Sequence, residues 1–250
     1  MIRIEDHGSY ATLVLDDPAR RNALSVESSA ELVGALDALE SSGNVRALVV
    51  TGAPPAFCAG ADLAQLEASD EAGLRAIYAG FQRIVHSSML TIAAVNGAAV
   101  GAGINLALAC DLRLAAPEAR FDTRFLALGI HPGGGHTWLL RHALPYSAAA
   151  ALLLAGEVRT GEEAERIGLV HRCVTSDELL GAAHELAARA GSVPMELLAK
   201  TKSTLARSYE DSAPYETVLE DELRLQLWSV AQPYFRERVA DLRRRISARW

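Results

Sequence analysis

Residues 95–111 read VNGAAVGAGINLALACD, and this stretch decides the fold. An apolar run over residues 91–95 predicts a short buried strand, and Asn96-Gly97 signals a turn. Small residues follow, and residues 104–110 favour a helix. The first amides of a helix have no partners within it and carry partial positive charge, which suits a developing anion. The alternative is a tight turn packed under a neighbouring helix.

A second stretch, AFCAGADL at residues 56–63, repeats this pattern. It follows an apolar strand over residues 47–50 and also opens a helical pattern. Two such loops can direct two backbone N–H groups at one oxygen atom and so form an oxyanion hole from main chain. Such a hole would polarise a thioester carbonyl as that carbonyl gains enolate character.

Apolar strands alternate with helical patterns along most of the chain, which predicts βαβ units and a mainly parallel sheet. After Asp62 the chain is polar, and we expect irregular structure to about residue 72. The last third is helical in pattern, with final helices predicted over residues 215–230 and 233–250.

Four motifs, in order, resemble the enoyl-CoA hydratase/isomerase (crotonase) superfamily. They are RNAL at 21–24, FCAGADL at 57–63, Asn96-Gly97 with GAG at 101–103, and PGGG at 132–135. The resemblance implies an α/β fold of the ClpP/crotonase type, a spiral of ββα units. It also implies two regions: an αβ core over residues 1–190 that holds the acyl-CoA site, and a helical trimerisation region over 191–250.

Composition limits the partners. The chain has 250 residues, of which 50% are hydrophobic, and a net charge of −7. This charge argues against nucleic-acid and anionic-membrane partners. An anionic ligand such as coenzyme A would therefore need a local positive cluster. No apolar run is long enough to span a membrane, and the N-terminus has no signal-peptide pattern.

The three cysteines, Cys58, Cys110 and Cys173, are far apart and odd in number. They indicate a reducing, cytoplasmic setting, without a disulfide framework or metal-ligand spacing. Cys58 is a candidate nucleophile, but we interpret it as a small buried residue beside the first loop.

By motif match, the oxyanion donors are the backbone N–H groups of Ala61 and Ala102. Relatives have glycine where Ala102 stands, and alanine suits this position if its φ is negative. The resemblance also implies that the loop from Ala59 to Asp62 contacts the adenine of coenzyme A, while Asp62 itself reads as a helix N-cap. Arg21 matches a basic residue that reaches the phosphates, with Arg20 as its rival.

The catalytic positions are where this chain departs from the family. The hydratases use two glutamates to activate water and deliver a proton, and the matching residues here are Asn105 and Phe125. Neither is a general base at neutral pH. Asn105 can still orient water or bond a substrate group, whereas Phe125 makes the pocket drier.

Other residues are candidates for proton transfer. His131 stands near the turn where some relatives place a catalytic residue, although a structural role in the glycine-rich turn is the alternative. Asp122 is a second candidate, and an ion pair with Arg124 is its alternative. Tyr78, Gly101 and Gly133 are predicted to line the substrate pocket with Phe125. His136 and His142 are interpreted as a helix-start and a surface residue.

Two functions follow from this pattern. The first is an enzyme on acyl-CoA thioesters that stabilises an enolate, with isomerisation, hydrolysis or carbon–carbon cleavage as alternatives to hydration. The second is a non-catalytic acyl-CoA binding or shuttling protein. In both, coenzyme A belongs to the substrate, no permanently bound cofactor or metal is expected, and the resemblance implies a homotrimer or a dimer of trimers. A dinucleotide-binding module is excluded because no Gly-x-Gly-x-x-Gly motif lies in the required context.

Overall fold

The computed structural model describes residues 2–208 together with Trp228, Pro233 and Glu237. The chain forms two compact units, Met1–Val193 and Pro194–Trp250. Among the described residues, no helix has both the length and the apolar character needed to cross a bilayer.

The first unit alternates strands and helices. Its strands are β1 (Ile2–Asp6), β2 (Tyr10–Leu15), β3 (Ala47–Gly52), β4 (Ala56–Cys58), β5 (Leu90–Val95), β6 (Ala98–Val100), β7 (Leu112–Ala115), β8 (Arg120–Asp122), β9 (Arg159–Thr160) and β10 (Arg172–Cys173). Its helices are α1 (Val26–Ser41), α2 (Leu63–Ala68), α3 (Glu71–Val85), α4 (Ala102–Ala109), α5 (His136–Ala143), α6 (Tyr146–Leu153), α7 (Gly161–Arg166) and α8 (Ser176–Gly191).

The strands form two sheets, and the chain passes repeatedly from one to the other. The larger sheet has the order β1-β2-β3-β5-β7-β10, and the smaller has the order β4-β6-β8-β9. Pairing is parallel except at β1–β2 and β8–β9. Successive units place one strand in each sheet and then one or two helices, as in β3-β4-α2-α3 and β5-β6-α4. The predicted spiral of ββα units is confirmed.

Helix α3 shows how the helices join the core. The Asp70 side chain caps it by accepting a hydrogen bond from the Gly73 amide. Ile77, Phe81 and Ile84 repeat at helical spacing and are fully buried. The Ser29 hydroxyl of α1 donates to the Ile77 carbonyl at 2.8 Å, so α1 and α3 are held together by a buried polar contact as well as by apolar packing.

The chain after Asp62 differs from the sequence expectation. Residues 63–72 were expected to be irregular, but α2 occupies Leu63–Ala68. Asp62 caps this helix, because its side chain accepts from the amides of Ala64 and Gln65 at 3.0 and 3.1 Å. The Gln65 side chain also accepts from the Val26 amide at the start of α1. A tertiary contact therefore supports a helix that is too short to show periodicity in the sequence.

The second unit begins with helix α9 (Met195–Ser208). The Lys200 ammonium group lies 5.1 Å from the centre of the Trp228 ring, which is a cation–π geometry. Within the helices predicted over 215–230 and 233–250, the structure describes only Trp228, Pro233 and Glu237. The trimerisation role of this region stays a prediction.

Candidate functional site

The first loop contains the first candidate donor, the backbone N–H of Ala61. The Leu24 amide donates to the Gly60 carbonyl, and the Asp62 amide donates to the Leu24 carbonyl, each at 2.7 Å. These two bonds form a parallel bridge between Leu24 and Ala61. The amides on an extended segment alternate in direction, so the Ala61 N–H points away from this bridge. The Ala61 N–H donates to none of the described residues.

The second loop leaves another free donor at the start of α4. Gly101 has φ +50°, a conformation that favours glycine, and its carbonyl accepts from the amides of Ile104 and Asn105. Ala102 is the first helical residue, and within the described chain its N–H has no acceptor. The positive φ thus falls at Gly101 and not at Ala102. Alanine at position 102 therefore adopts its φ without strain, as the sequence analysis required.

The two loops are packed directly against each other. Strands β4 and β6, which lead into them, pair in parallel. A Cβ atom built on Gly60 would lie 3.9 Å from the Ala102 nitrogen. A Cβ atom built on Gly103 would lie 2.1 Å from the Cys58 carbonyl oxygen, so only glycine permits this approach of α4 to β4.

Ala61 and Ala102 line one cavity of about 380 Å³, within the usual range for small-molecule sites. The cavity is also lined by most of the other site residues predicted from the sequence: Ala59, Tyr78, Gly101, Asn105, Phe125, His131 and Gly133. Leucine and isoleucine residues from α2, α3 and the segment after Phe125 form an apolar part of the cavity wall: Leu63, Leu66, Leu74, Leu128 and Ile130. A cavity with two free amides and largely apolar walls suits a ligand that combines a carbonyl group with a hydrocarbon chain.

Three aromatic or imidazole groups border the cavity. The Tyr78 hydroxyl packs against Gly133, where a Cβ atom would lie 2.3 Å from it, and burial raises the pKa of Tyr78. The Phe125 ring lies against Gly101. His131 is exposed, and its Nδ1 atom is 2.8 Å from the Pro132 carbonyl oxygen, so it has the turn contact expected of a structural histidine.

Three predicted site residues do not line this cavity: Asp122, Asp62 and Arg21. The Asp122 carboxylate forms an ion pair with Arg124, whose Nε donates at 2.8 Å. Asp62 serves as the cap of α2, which confirms the N-cap interpretation. Both carboxylates are therefore held in local structural contacts.

The two arginines differ in their surroundings. Arg20 pairs with Asp17 at 2.7 Å and with Asp62 at 3.5 Å. Arg21 is exposed, and its side chain has no partner among the described residues. Its carbonyl accepts from the Ala59 amide at 3.0 Å, so its backbone is fixed beside the first loop. Arg21 is the better placed of the two for an external anion.

Sequence reasoning missed the partner of Asn105. His136 was interpreted only as a helix-start residue, and it does begin α5, but its side chain is only 1% exposed. Its Nδ1 atom is 2.7 Å from the Asn105 Oδ1, and the Asn105 Nδ2 donates to the Gly133 carbonyl at 3.0 Å. Burial lowers the pKa of His136 to about 4, so the imidazole is neutral at pH 7. The only signal in the sequence was a histidine directly after a glycine-rich turn.

Asn22 is a second residue whose function the sequence did not reveal. Its side-chain amide donates to the carbonyls of Ala53 and Ala56, both at 2.8 Å, and its Oδ1 accepts from the Asp17 amide. The side chain is 2% exposed. It fixes the turn that precedes β4 and therefore the position of the first loop.

Cys58 is buried under the first loop, as interpreted from the sequence. Burial raises the pKa of its thiol to about 12, so the reactive thiolate is nearly absent at neutral pH. Cys58 is a packing residue in this site.

Comparison with known proteins shows the family to which this fold belongs. The family model described as enoyl-CoA hydratase/isomerase matches residues 5–238. A protein of Mycobacterium tuberculosis named as a probable enoyl-CoA hydratase, EchA14, is 43% identical over 248 residues, which cover 96% of this chain and 95% of that protein. The chain belongs to the enoyl-CoA hydratase/isomerase family.

Solved structures give the same result for the fold. The enoyl-CoA hydratase of Bacillus anthracis superposes with a TM-score of 0.91 at 27% identity, over 98% of this chain and 96% of that chain. An enoyl-CoA hydratase from Polaromonas superposes with a TM-score of 0.89 at 30% identity, over 96% of both chains. The crotonase fold predicted from the four motifs is confirmed.

Proposed function

We propose that this protein binds an acyl-CoA thioester and polarises its carbonyl oxygen with the backbone N–H groups of Ala61 and Ala102. The observation that carries the proposal is that these two donors, from separate loops, have no acceptor among the described residues and belong to residues that line one cavity. As charge develops on the thioester oxygen, both donors would stabilise it, and the N-terminal end of α4 would add its partial positive charge.

Arg21 would bind the phosphates of the coenzyme A portion. Its guanidinium group is exposed and suited to bidentate contact with phosphate, and its backbone carbonyl accepts a hydrogen bond from the Ala59 amide of the first loop. Ala59 and Ala61 would contact the adenine, with Asp62 holding the loop in place as the cap of α2.

Ordinary hydration is not the reaction that these residues favour. Asn105 and Phe125 occupy the positions that match the two catalytic glutamates, and neither can act as a base. Each missing acid or base removes a rate contribution of about 10²–10⁴-fold. His131, which borders the cavity, would be the proton-transfer group of an isomerase, hydrolase or lyase, with Asp122 as a second candidate that would first have to leave Arg124. The alternative is an acyl-CoA binding or shuttling protein without turnover.

The test removes one amide hydrogen and leaves the helix in place. Proline is tolerated at the first position of a helix, so Ala102→Pro replaces the N–H donor with a ring methylene and keeps the first turn of α4. Infrared difference spectra of bound butyryl-CoA carrying a 13C-labelled thioester carbonyl then report its polarisation. We expect a shift to lower frequency in the wild-type protein and a clearly smaller shift in the variant.

Glu71→Pro is the matched control, because Glu71 is the first residue of α3, is exposed and does not line the cavity. It should retain the wild-type shift. A shift that is unchanged in Ala102→Pro would contradict the oxyanion role. Turnover of crotonyl-CoA at ordinary hydratase rates would exclude the binding-only alternative, whereas tight binding without any turnover would favour it.

We also propose that the chain assembles as a homotrimer or a dimer of trimers in the cytoplasm. The family membership and the helical pattern of residues 191–250 support this proposal. Light scattering coupled to gel filtration measures the mass directly, and a monomer of 26.7 kDa would contradict it.

A further inference from the structure

The permanent charge in the candidate site comes from one side chain. Of the residues that line the cavity in the described part of the chain, Arg124 alone is permanently charged, and none is acidic. The whole chain carries a net charge of −7, so a cavity with a single cation differs from the average surface. A hydrocarbon chain needs no cation, whereas an anionic group inside largely apolar walls does.

Arg124 also lies at a strained point of the backbone. The Phe125 amide donates to the Thr123 carbonyl at 2.7 Å, which closes a γ-turn, and Arg124 at its centre has φ +57°. A γ-turn with a positive φ is the rare and strained form. Glycine would adopt this φ at a lower cost than arginine, so the arginine side chain is not there to suit the turn.

Neighbouring contacts hold this turn in place. The Thr123 hydroxyl donates to the Leu152 carbonyl at 3.0 Å, and the Leu128 amide donates to the Arg124 carbonyl at 3.1 Å. A Cβ atom built on Gly101 would lie 3.8 Å from the Thr123 carbonyl oxygen, so the turn packs against the second loop. The arginine is therefore fixed beside the candidate oxyanion hole, and strained backbone that is held in this way is concentrated at ligand-binding positions.

The ion pair with Asp122 occupies one edge of the guanidinium group. Nε and Nη2 of Arg124 both donate to the same carboxylate oxygen, Oδ2. A guanidinium group has five N–H donors, so both hydrogens of Nη1 and one of Nη2 are not used by Asp122. Arg124 lines the cavity and is half-exposed, whereas Asp122 does not line it. Asp122 thus orients the guanidinium group and leaves its outer edge for a second carboxylate.

From these observations we propose that Arg124 gives the site specificity for an acyl group that ends in a carboxylate, the half-thioester of a short dicarboxylic acid. The inference rests on the proposed function, because it takes the thioester oxygen to lie at Ala61 and Ala102 and the acyl chain to lie in the cavity. The outer edge of the guanidinium group would bind the terminal carboxylate in a bidentate, charge-assisted pair. The apolar wall would contact the methylene groups between the two ends.

The test compares two five-carbon ligands by titration calorimetry: glutaryl-CoA, which ends in a carboxylate, and valeryl-CoA, which ends in a methyl group. We expect the wild-type protein to bind glutaryl-CoA about three- to tenfold more tightly, since the added pair is charge-assisted but half-exposed. In Arg124→Gln the preference should reverse, because an unpaired carboxylate then lies against apolar walls. The affinity for valeryl-CoA should stay within about twofold of the wild type, since this ligand has no charge to pair.

Two further variants separate recognition from general damage. Arg120→Gln is the matched control, because it removes the same charge from β8, where Arg120 is exposed, donates to the carbonyls of Pro117 and Ala119, and does not line the cavity. It should keep the wild-type preference. Arg124→Gly removes the side chain and suits the positive φ, so it should lose the preference for glutaryl-CoA while its urea midpoint stays close to that of the wild type.

The outcomes are distinct. Binding of glutaryl-CoA by the wild type that is no tighter than that of valeryl-CoA, or a preference that survives in Arg124→Gln, would overturn the inference while leaving acyl-CoA binding intact. An equal loss of affinity for both thioesters and for free coenzyme A in Arg124→Gln would place the guanidinium group at the coenzyme A phosphates, and would overturn it as well. Failure of the wild type to bind either thioester would overturn the proposed function itself.

Discussion

Asn105 illustrates how one side chain can change the chemistry of a site. A glutamate at this position would offer a base to the cavity, whereas the asparagine is held between the Gly133 carbonyl and His136. The imidazole is neutral at pH 7 because burial lowers its pKa, so the pair carries no charge. A neutral pair fits the proposed binding and polarisation of a neutral thioester carbonyl better than it fits the activation of water.

The buried imidazole should make the folded protein sensitive to acid. The pKa of His136 is about 4 in the folded state against 6.5 in the unfolded chain, so between these values the unfolded state binds the additional proton. The contribution is therefore fully present above pH 6.5 and is lost as the pH falls towards 4. We expect the loss in unfolding free energy between pH 7.5 and pH 4.5 to be smaller by about 2 kcal/mol in His136→Asn.

Urea denaturation of the wild type and His136→Asn at the two pH values measures this difference. Equal losses in the two proteins would mean that the imidazole titrates normally in the folded state.

At the scale of elements, the site depends on how closely α4 approaches β4. Gly103 has no side chain, and the Cys58 carbonyl oxygen occupies the space where a Cβ atom would be. Helix α4 is buried along its whole length, so it cannot shift without moving the core around it. The position of the Ala102 amide is thus determined by packing between two elements.

Gly103→Ala should therefore destabilise the protein. We expect a loss of about 2 kcal/mol or more in the free energy of unfolding, because α4 must move away from β4, and a weaker affinity for acyl-CoA. Gly34→Ala in α1 is the matched control, since a Cβ atom built there meets nothing within 4 Å.

At Gly34 the same substitution should stabilise the protein by up to about 1 kcal/mol through helix propensity alone. Thermal and urea unfolding of both variants distinguish the effects. Similar changes at the two positions would show that the contact with Cys58 is not tight.

At the scale of the whole molecule, the protein and its proposed ligand both carry a negative net charge. The chain carries a net charge of −7, and coenzyme A is an anion, so long-range electrostatics opposes their association. Binding then depends on local cations. Arg20 is engaged with two carboxylates, whereas Arg21 is exposed beside the first loop.

Arg21→Gln should accordingly raise the Kd for acyl-CoA by about five- to tenfold at low salt, and added salt should reduce the difference from the wild type. Arg75→Gln changes the charge equally on the exposed face of α3, where Arg75 pairs with Glu71. That control should bind as the wild type does. If both variants lost affinity equally, overall charge and not a contact at Arg21 would be responsible.

The sequence by itself determined the features that depend on neighbouring residues. Alternating apolar strands and helical patterns predicted a mainly parallel sheet with helices between its strands, and the four motifs predicted the spiral of ββα units through their resemblance to the family. The glycine-rich loops predicted where free amides would lie, because turns and helix starts are set by local residue types. The N-cap role of Asp62 and the burial of Cys58 were predicted for the same reason.

Tertiary structure alone decided the rest, because hydrogen bonds between residues distant in sequence leave no local pattern. Helix α2 is supported by a contact between Gln65 and Val26, 39 residues apart. The His136 side chain meets that of Asn105 across 31 residues of sequence, and the pair is buried. Residue type shows what a side chain can donate or accept, but only the folded chain determines which partner it meets.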